Sequence, residues 1–475
     1  MTIRLHNTLT KKVEDFTPRV DGKVQLFVCG PTVYDFSHVG HAKTYVQLDT
    51  LARTLRYSGL DVFYLQNITD IDDKIIQRAN ERKIDWQDLR TQFEDEYIKD
   101  MQSLGNTSVT QYARATDYIA DILRQVQTLI DKGHAYVIEG DGIYFEISTF
   151  PDYGKLSGRQ DIKKDDAQSR IDESDNKRGW NDFCLWKFSK PGEPVWDTPF
   201  GAGRPGWHIE DTAITEHIFS PQYDIHGGAV DLIFPHHEAE ITQMEAASGK
   251  VPFVRTWVHT GFLTIDGEKM SKSIGNFFTI REVIEKGYDP LAIRLFMLQS
   301  HYRSSINFTF DNLDAANNRL NNWRSIAALR HQTHDTLRDD DEKSTDDRTV
   351  SLYATSQALV EALYNDLDTP RALAIIDDAF SLLANKQLSD IHQHALQELL
   401  QTIDDVLGIN LIGSTPDISD DGKRLIIERT AARGKSDWVA SDTLRKDIEK
   451  SGVTVRDTAH GPVWEYLNDS SSSSF

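Results

Sequence analysis

Cysteine is nearly absent: 475 residues carry only Cys29 and Cys184. Two thiols cannot build a disulfide framework, and their scarcity suits a reducing compartment, so a cytoplasmic location is expected. Long apolar runs are missing as well. No run approaches the roughly 20 residues that cross a bilayer. The opening Met1-Thr-Ile-Arg-Leu-His-Asn7 has polar residues where a signal peptide carries its apolar centre. No membrane partner is expected. Basic residues are outnumbered, 52 Lys and Arg against 74 Asp and Glu, for a net charge of -22. That balance excludes a uniformly basic nucleic-acid-binding surface. One segment runs against it. From Lys423 to Arg456 there are nine Lys or Arg and five Asp or Glu, a local excess that permits RNA contact without requiring it.

What the chain does have is organised around Leu26-Phe-Val-Cys-Gly-Pro-Thr-Val-Tyr-Asp-Phe-Ser-His-Val-Gly-His-Ala-Lys-Thr44. The apolar run Val24 to Val28 reads as a buried strand that stops at Gly30 and Pro31. A helical pattern begins near His41, with Tyr45, Leu48, Leu51, Ala52 and Leu55 at three- and four-residue spacing. The turn between them carries His38-Val39-Gly40-His41. Strand, tight turn and helix N-terminus together make a phosphate seat, because free N–H groups and the helix dipole face the anion. Two imidazoles there add donors for charge growing on a reacting phosphate. Much later comes Lys269-Met-Ser-Lys-Ser273 with Ile274-Gly-Asn276. Two lysines on a Ser- and Gly-rich loop suit a departing pyrophosphate.

Together the two motifs make the chain resemble the class I aminoacyl-tRNA synthetases. Further residues make it resemble the cysteinyl-tRNA synthetases among them: Cys29-Gly-Pro-Thr-Val-Tyr34, Asn67-Ile-Thr-Asp-Ile-Asp-Asp-Lys74, Gly203-Arg-Pro-Gly-Trp-His-Ile-Glu210, Asp224-Ile-His-Gly-Gly228 and Phe234-Pro-His-His-Glu238. The similarity runs from about residue 1 to about 467. The implied fold is α/β: a Rossmann-like nucleotide-binding parallel sheet with an inserted subdomain, then a helical bundle and a small C-terminal α/β anticodon-binding unit. Residues 1–115 and 201–268 are expected to form the catalytic domain and 116–200 the insertion. Residues 269–320 are expected to form the lysine loop and stem-contact region, 321–412 the bundle, 413–467 the anticodon unit and 468–475 a disordered tail.

The element reading within those bounds is specific. Asp61 to Gln66 is a second strand leading to Asn67-Ile-Thr-Asp70. Asp70, Asp72 and Asp73 read better as a helix start than as a metal cluster. In the insertion, Tyr118 to Lys132 is a helix, Ala135–Ile138 and Gly142–Ile147 are strands, and Asp161 to Arg178 is a charged loop. Cys184 is read as a core thiol among Phe183, Leu185 and Trp186. Gly203 to Gly206 is a turn, Trp207 starts a helix, and Tyr223 to His226 is a strand ending at Gly227-Gly228. Asp335 to Arg348 reads as an exposed connector.

The resemblance implies an activity in which L-cysteine is activated by Mg-ATP and passed to tRNA(Cys), by a protein expected to be a monomer. It assigns His38 and His41 to catalysis and ATP binding, with Gly40, Gly227 and Gly228 beside the nucleotide, and Lys269 and Lys272 to the pyrophosphate. Thr69, Trp207, His226 and Asp231 shape the cysteine site. It also implies one zinc ion. The family's two cysteines, histidine and glutamate map to Cys29, Asp211, His236 and Glu240, so an aspartate stands where the pattern has its second cysteine. Charge is unchanged, but carboxylate oxygen is harder than sulfur. Read from spacing alone, His236 and Glu240 fit either joint ligation from one helix face or a surface pair. Asp211 fits either ligation or a cap. Two other activities remain compatible: a cysteine-adenylating ligase acting on a small amino sugar, and a non-catalytic tRNA-binding paralogue.

Overall fold

A computed structural model describes residues 2–159, 174, 176–271, 274–332, 352–386, 388–458 and 461–467. Lys272, most of the charged stretch 161–178, the acidic segment 335–348 and the tail 468–475 lie outside the described residues. The chain divides into two units, Met1–Leu263 with Tyr302–Ile306, and Thr264–His301 with Asn307–Phe475.

The first unit is built on five parallel strands: β1 (Lys23–Val28), β2 (Asp61–Ile68), β3 (Gln111–Arg114), β4 (Tyr223–Ala229) and β5 (Val254–Thr260). Their order across the sheet is β5-β4-β1-β2-β3. Leu26, Phe27 and Val28 are all fully buried, as expected where helices cover both faces of a parallel sheet. The strand order reverses between β1 and β4. A crevice at such a reversal, outside the carboxyl ends of the strands, is where open α/β sheets take ligands.

Helix α1 (Val39–Tyr57) begins two residues earlier than the apolar spacing indicates. His38 caps it: its ring accepts from the His41 N–H, and the His41 ring accepts from the His38 N–H. A paired cap of this kind satisfies N–H groups that a helix start leaves open. At the end of β2 the three aspartates go separate ways. Asp72 caps the helix Asp73–Arg82, Asp70 is buried against Arg90 and Thr116, and Asp73 pairs with Lys187 and Arg204. The helix-start reading holds for Asp72 and Asp73, while Asp70 serves the packing of Arg90 and Thr116 instead.

Inserted after β3 are the helix Ile119–Asp131 and a four-stranded antiparallel sheet of Ala135–Ile138, Gly142–Phe145, Phe183–Phe188 and Gly203–Pro205. The last strand corrects the expectation of a turn. Trp186 pairs with Pro205 and Phe188 with Gly203. A Cβ on Gly203 would lie 2.5 Å from the Lys187 carbonyl, so glycine is what allows the approach. Pro205 sits on the sheet edge, where its missing N–H costs nothing. Cys184 is buried with Tyr136, Ile138 and Tyr144. Helices α2 (Trp207–Phe219) and α3 (Glu238–Ser248) flank β4 in sequence.

The second unit carries the short strand Glu268–Lys269, then the helices Pro290–Leu298, Phe310–Ala327, Leu352–Tyr364, Thr369–Ala384 and Gln393–Leu407. It ends in two helices, Asp420–Gly434 and Trp438–Lys450, and an antiparallel pair, Val453–Thr458 with Gly461–Tyr466. Among the described residues, the basic excess of this end is largely answered locally: Arg429 and Arg433 pair with Asp457, and Lys450 with Asp447.

Gly30 follows β1 where the chain turns toward the site. A Cβ there would fall 1.8 Å from the Asn67 carbonyl oxygen. Gly30→Ala should therefore destabilise the protein by about 1–3 kcal/mol, the usual cost of overpacking. Gly434→Ala, which meets nothing within 4 Å, should be neutral or mildly stabilising in the same thermal or denaturant melts.

Candidate active site

Cys29 leaves the end of β1, and its N–H donates to the Gly227 carbonyl across the sheet at 3.1 Å. Asp211 lies in α2, one turn in from its start at Trp207. His236 stands in the kinked turn Ile233–His237 that leads into α3, and Glu240 lies in the first turn of α3. The kink is at Phe234, whose backbone is extended. Strand, helix and turn thus deliver four side chains to one buried point.

His236 Nε2 is the centre. It lies 3.1 Å from Asp211 Oδ2, 3.1 Å from Glu240 Oε1 and 3.5 Å from Cys29 Sγ. One ring nitrogen carries at most one proton, so it cannot satisfy three acceptors. Asp211 Oδ1 and both Glu240 oxygens are buried and have no hydrogen-bond partner among the described residues. Leaving carboxylates uncompensated in the interior is costly. A cation bound among one sulfur, one nitrogen and carboxylate oxygens removes the deficit, and this donor set suits zinc. The ligand atoms of Asp211, His236 and Glu240 all lie within 4.8 Å of one another, as do those of Cys29, His236 and His237. The far nitrogen of His236 is held by His208 Nδ1 at 2.8 Å, the outer contact that orients a ligating imidazole. Of the two readings of the His236–Glu240 spacing, the surface pair is excluded by burial of both side chains.

Electrostatics give the same picture. Burial pushes the Cys29 thiol well above its ordinary value, and Asp211 and Glu240 push it further. Burial and then Asp211 raise the Glu240 carboxyl. Without a cation the pocket resists the ionised forms; a divalent ion reverses that preference.

Of four more expected residues, Trp207, His226 and Thr69 lie around this point. Trp207 stacks on His236, ring centroids 4.2 Å apart. The His226 ring is fully buried, bonded to Tyr223 through Nδ1 at 2.7 Å and 3.6 Å from Glu240 Oε2. Thr69, just past β2, donates to Glu210 Oε2 at 2.9 Å. Asp231 is exposed, in the turn Val230–Leu232 after β4. Gly227 and Gly228 lie within β4, which runs on to Ala229. A Cβ on Gly228 would lie 2.7 Å from His237 Cε1, too close for the packed ring, and one on Gly227 would press on Leu48 Cδ2 at 3.0 Å.

The two histidines of the turn are stacked, centroids 3.7 Å apart. Because each Nδ1 accepts a backbone N–H, the proton of each neutral ring is on Nε2. Desolvation, with His38 and Lys74 nearby, pulls the His41 pKa well below the usual imidazole value. Both rings can therefore donate from Nε2, beside the open N–H groups of the α1 start. Lys269 is exposed in the second unit.

The family model for the catalytic domain of class I (C) tRNA synthetases matches residues 15–318. The cysteinyl-tRNA ligase anticodon binding domain matches residues 415–464. A cysteine--tRNA ligase of Trichlorobacter lovleyi is 41% identical, the match covering 98% of this chain and all of the relative. One of Heliobacterium modesticaldum is 39% identical over the same share of this chain and all of its own. The chain belongs to the cysteine--tRNA ligase family. These enzymes are class I aminoacyl-tRNA synthetases, and solved structures of that class share the fold. A Mycobacterium tuberculosis methionyl-tRNA synthetase bound by methionyl-adenylate aligns with TM-score 0.60 at 15% identity, covering 82% of this chain and 92% of its own. A ternary LeuRS–tRNA complex of Agrobacterium radiobacter K84 aligns with TM-score 0.62 at 11% identity, covering 85% and 86%.

Sequence reasoning overlooked several neighbours of the cysteine--tRNA ligase site. His208 holds His236. Buried His237 bonds through Nδ1 to His259 Nε2 at 2.8 Å, and His259 Nδ1 meets Thr8 Oγ1 at 2.7 Å. Nothing in local spacing links residues 8, 237 and 259; they meet because Thr8 N–H donates to the Trp257 carbonyl of β5 and His259 pairs opposite Gly228 of β4. Glu210 and Asn67 were legible in principle, since strand alternation sets Asn67 and Thr69 on one face.

His259 is buried, and burial lowers its pKa to about 3. The unfolded chain takes up a proton near pH 6.5 that the native ring refuses. Stability from this residue is thus complete above pH 6.5 and declines as the pH falls toward 3. Between pH 7 and pH 5 the loss should be about 2 kcal/mol. Denaturant melts at the two pH values should show a smaller loss in His259→Asn.

Proposed function

We propose that this chain makes cysteinyl-tRNA(Cys) in two steps. The carboxylate of L-cysteine attacks the α-phosphate of Mg-ATP, giving cysteinyl-AMP and pyrophosphate, and the cysteinyl group then moves to the terminal ribose of tRNA(Cys). The observation that carries this reading is the buried meeting of Cys29, Asp211, His236 and Glu240 beside the carboxyl ends of β1 and β4. These residues would hold a zinc ion, which takes a thiolate in preference to a hydroxyl and so separates cysteine from serine. Size alone sorts those two side chains poorly. With Asp211 as a ligand the site is harder than one with two thiolates, and the metal correspondingly less selective for sulfur.

No covalent enzyme intermediate is needed, so positioning and charge stabilisation do the work. His38 and His41 donate from Nε2 to the phosphates, with the N–H of Gly40 at the helix start. The backbone of Gly227 and Gly228 borders the adenosine. Lys269 and Lys272 take the negative charge of the pyrophosphate. Thr69, Trp207 and His226 line the cysteine pocket, and Asp231 is assigned to the α-ammonium. Residues 1–115 and 201–268 would carry the adenylation step, and 413–467 would read the anticodon. The match over 415–464 favours tRNA over a small amino sugar as acceptor. Neither Cys29 nor Cys184 is in a disulfide, which suits a protein, taken here as a monomer, working in a reducing cytoplasm, and no described helix is long and apolar enough to cross a membrane.

Cysteine-dependent ATP–pyrophosphate exchange tests the whole reading; it should be lost with a chelator and negligible with serine. Lys269→Ala should slow exchange by about 10²–10³-fold while the KM for cysteine changes little, as expected when a contact strengthens in the transition state. Protein purified without added zinc should contain one zinc ion per chain. Asp211→Ala should weaken metal affinity by at least about tenfold, and Asp211→Cys should restore it. Cysteine-competent protein free of metal would refute the assignment.

A further inference from the structure

Glu210 lies in the first turn of α2 and is buried, one residue before Asp211. It belongs to a chain of hydrogen bonds whose direction is set from one end. The Gly30 N–H can only donate, and it donates to Asn67 Oδ1 at 2.5 Å. That contact fixes which way the Asn67 amide faces. Its NH2 group then points to Thr69 Oγ1, at 3.4 Å. With one lone pair so engaged, the Thr69 hydroxyl sends its proton to Glu210 Oε2 at 2.9 Å, an oxygen that accepts with the carboxyl ionised or with its proton on Oε1. A hydroxyl has one proton and two lone pairs. What Thr69 has left is an acceptor.

We propose that Glu210 is a positioning residue: by holding the Thr69 proton it keeps Thr69 Oγ1 as an acceptor, and so selects an amino acid with a free α-ammonium. This rests on the reading above that Thr69 lines the cysteine pocket. An ammonium has three donors and no acceptor, so one can meet this hydroxyl and another Asp231, whereas a hydroxyl free to rotate is not held ready to accept. A thiol acid without the amino group gains nothing from Thr69. Glu210 therefore acts on specificity at the amino end of the substrate, while the neighbouring Asp211 faces the sulfur end. Two adjacent residues of one helix divide the recognition of one small molecule.

The test uses the full-length protein in ATP–pyrophosphate exchange, with 3-mercaptopropionate, which is cysteine without its amino group, as a competitive inhibitor. Thr69→Val and Glu210→Leu should each raise the KM for cysteine about tenfold, the worth of one hydrogen bond to a charged group, with kcat little changed. The inhibition constant of 3-mercaptopropionate should stay as it is. Glu210→Gln, whose carbonyl oxygen still accepts from Thr69, should behave like the unmodified protein, and the double variant Thr69→Val/Glu210→Leu should be no worse than either single one. If Glu210→Leu weakens 3-mercaptopropionate as much as cysteine, Glu210 only supports the fold and the proposal fails. If Thr69→Val raises the KM and Glu210→Leu does not, Thr69 binds cysteine without help from Glu210, and the proposal again fails while the site reading stands. If Thr69→Val leaves the KM unchanged, the placement of Thr69 is wrong and the proposal falls with it.

Discussion

Two buried carboxyl groups and a thiol crowd one imidazole nitrogen, and the surrounding structure depends on how that crowding is relieved. Asp211, Glu240 and Cys29 all lie within 3.5 Å of His236 Nε2, with too few protons among them to make every contact favourable. Such an arrangement keeps its ionised forms only around positive charge. The four residues span positions 29 to 240 and come from a strand end, two helices and a kinked turn. They meet because the sheet order sets β1 beside β4, so the centre exists only once the sheet has formed. The outer layer of imidazoles fits the same constraint: His208 and His237 lock ring orientations with hydrogen bonds of 2.8 Å in place of charged neighbours.

Charge at the other end of the chain is handled differently. The C-terminal basic segment forms ion pairs with its own acidic residues, Arg424 with Asp421 and Glu428, Arg445 with Glu449 and Arg456 with Glu465. Exposed pairs of this kind contribute little stability. Exchanging their carboxylate partners for phosphates is correspondingly cheap, which reconciles a net charge of -22 with membership of a tRNA-charging family.

Much of this was legible before the structure. Apolar runs marked β1 and β2, and helical spacing marked α1 and the second unit's helices, because those signals are local. The errors were local too. Gly203–Pro205 reads as a turn because glycine and proline dominate it, yet it pairs as an edge strand whose glycine permits close approach. Helix α1 starts before its apolar pattern does, since the cap is made by imidazoles rather than by the usual short polar residues. At the site, the donors Cys29, Asp211, His236 and Glu240 could be named by resemblance. The contacts that orient them, through His208, His237, His259 and Thr8, join residues far apart in sequence and became visible only with the sheet register.

The paired cap of α1 has a further consequence. His38 and His41 each spend Nδ1 on the backbone. Under the proposed function, helix initiation and phosphate contact draw on the same two rings, so replacing either one weakens the cap as it removes a donor. The three-residue spacing of these rings is set by the geometry of a first helical turn, so the cap and a nucleotide contact made by the same rings could not be altered independently.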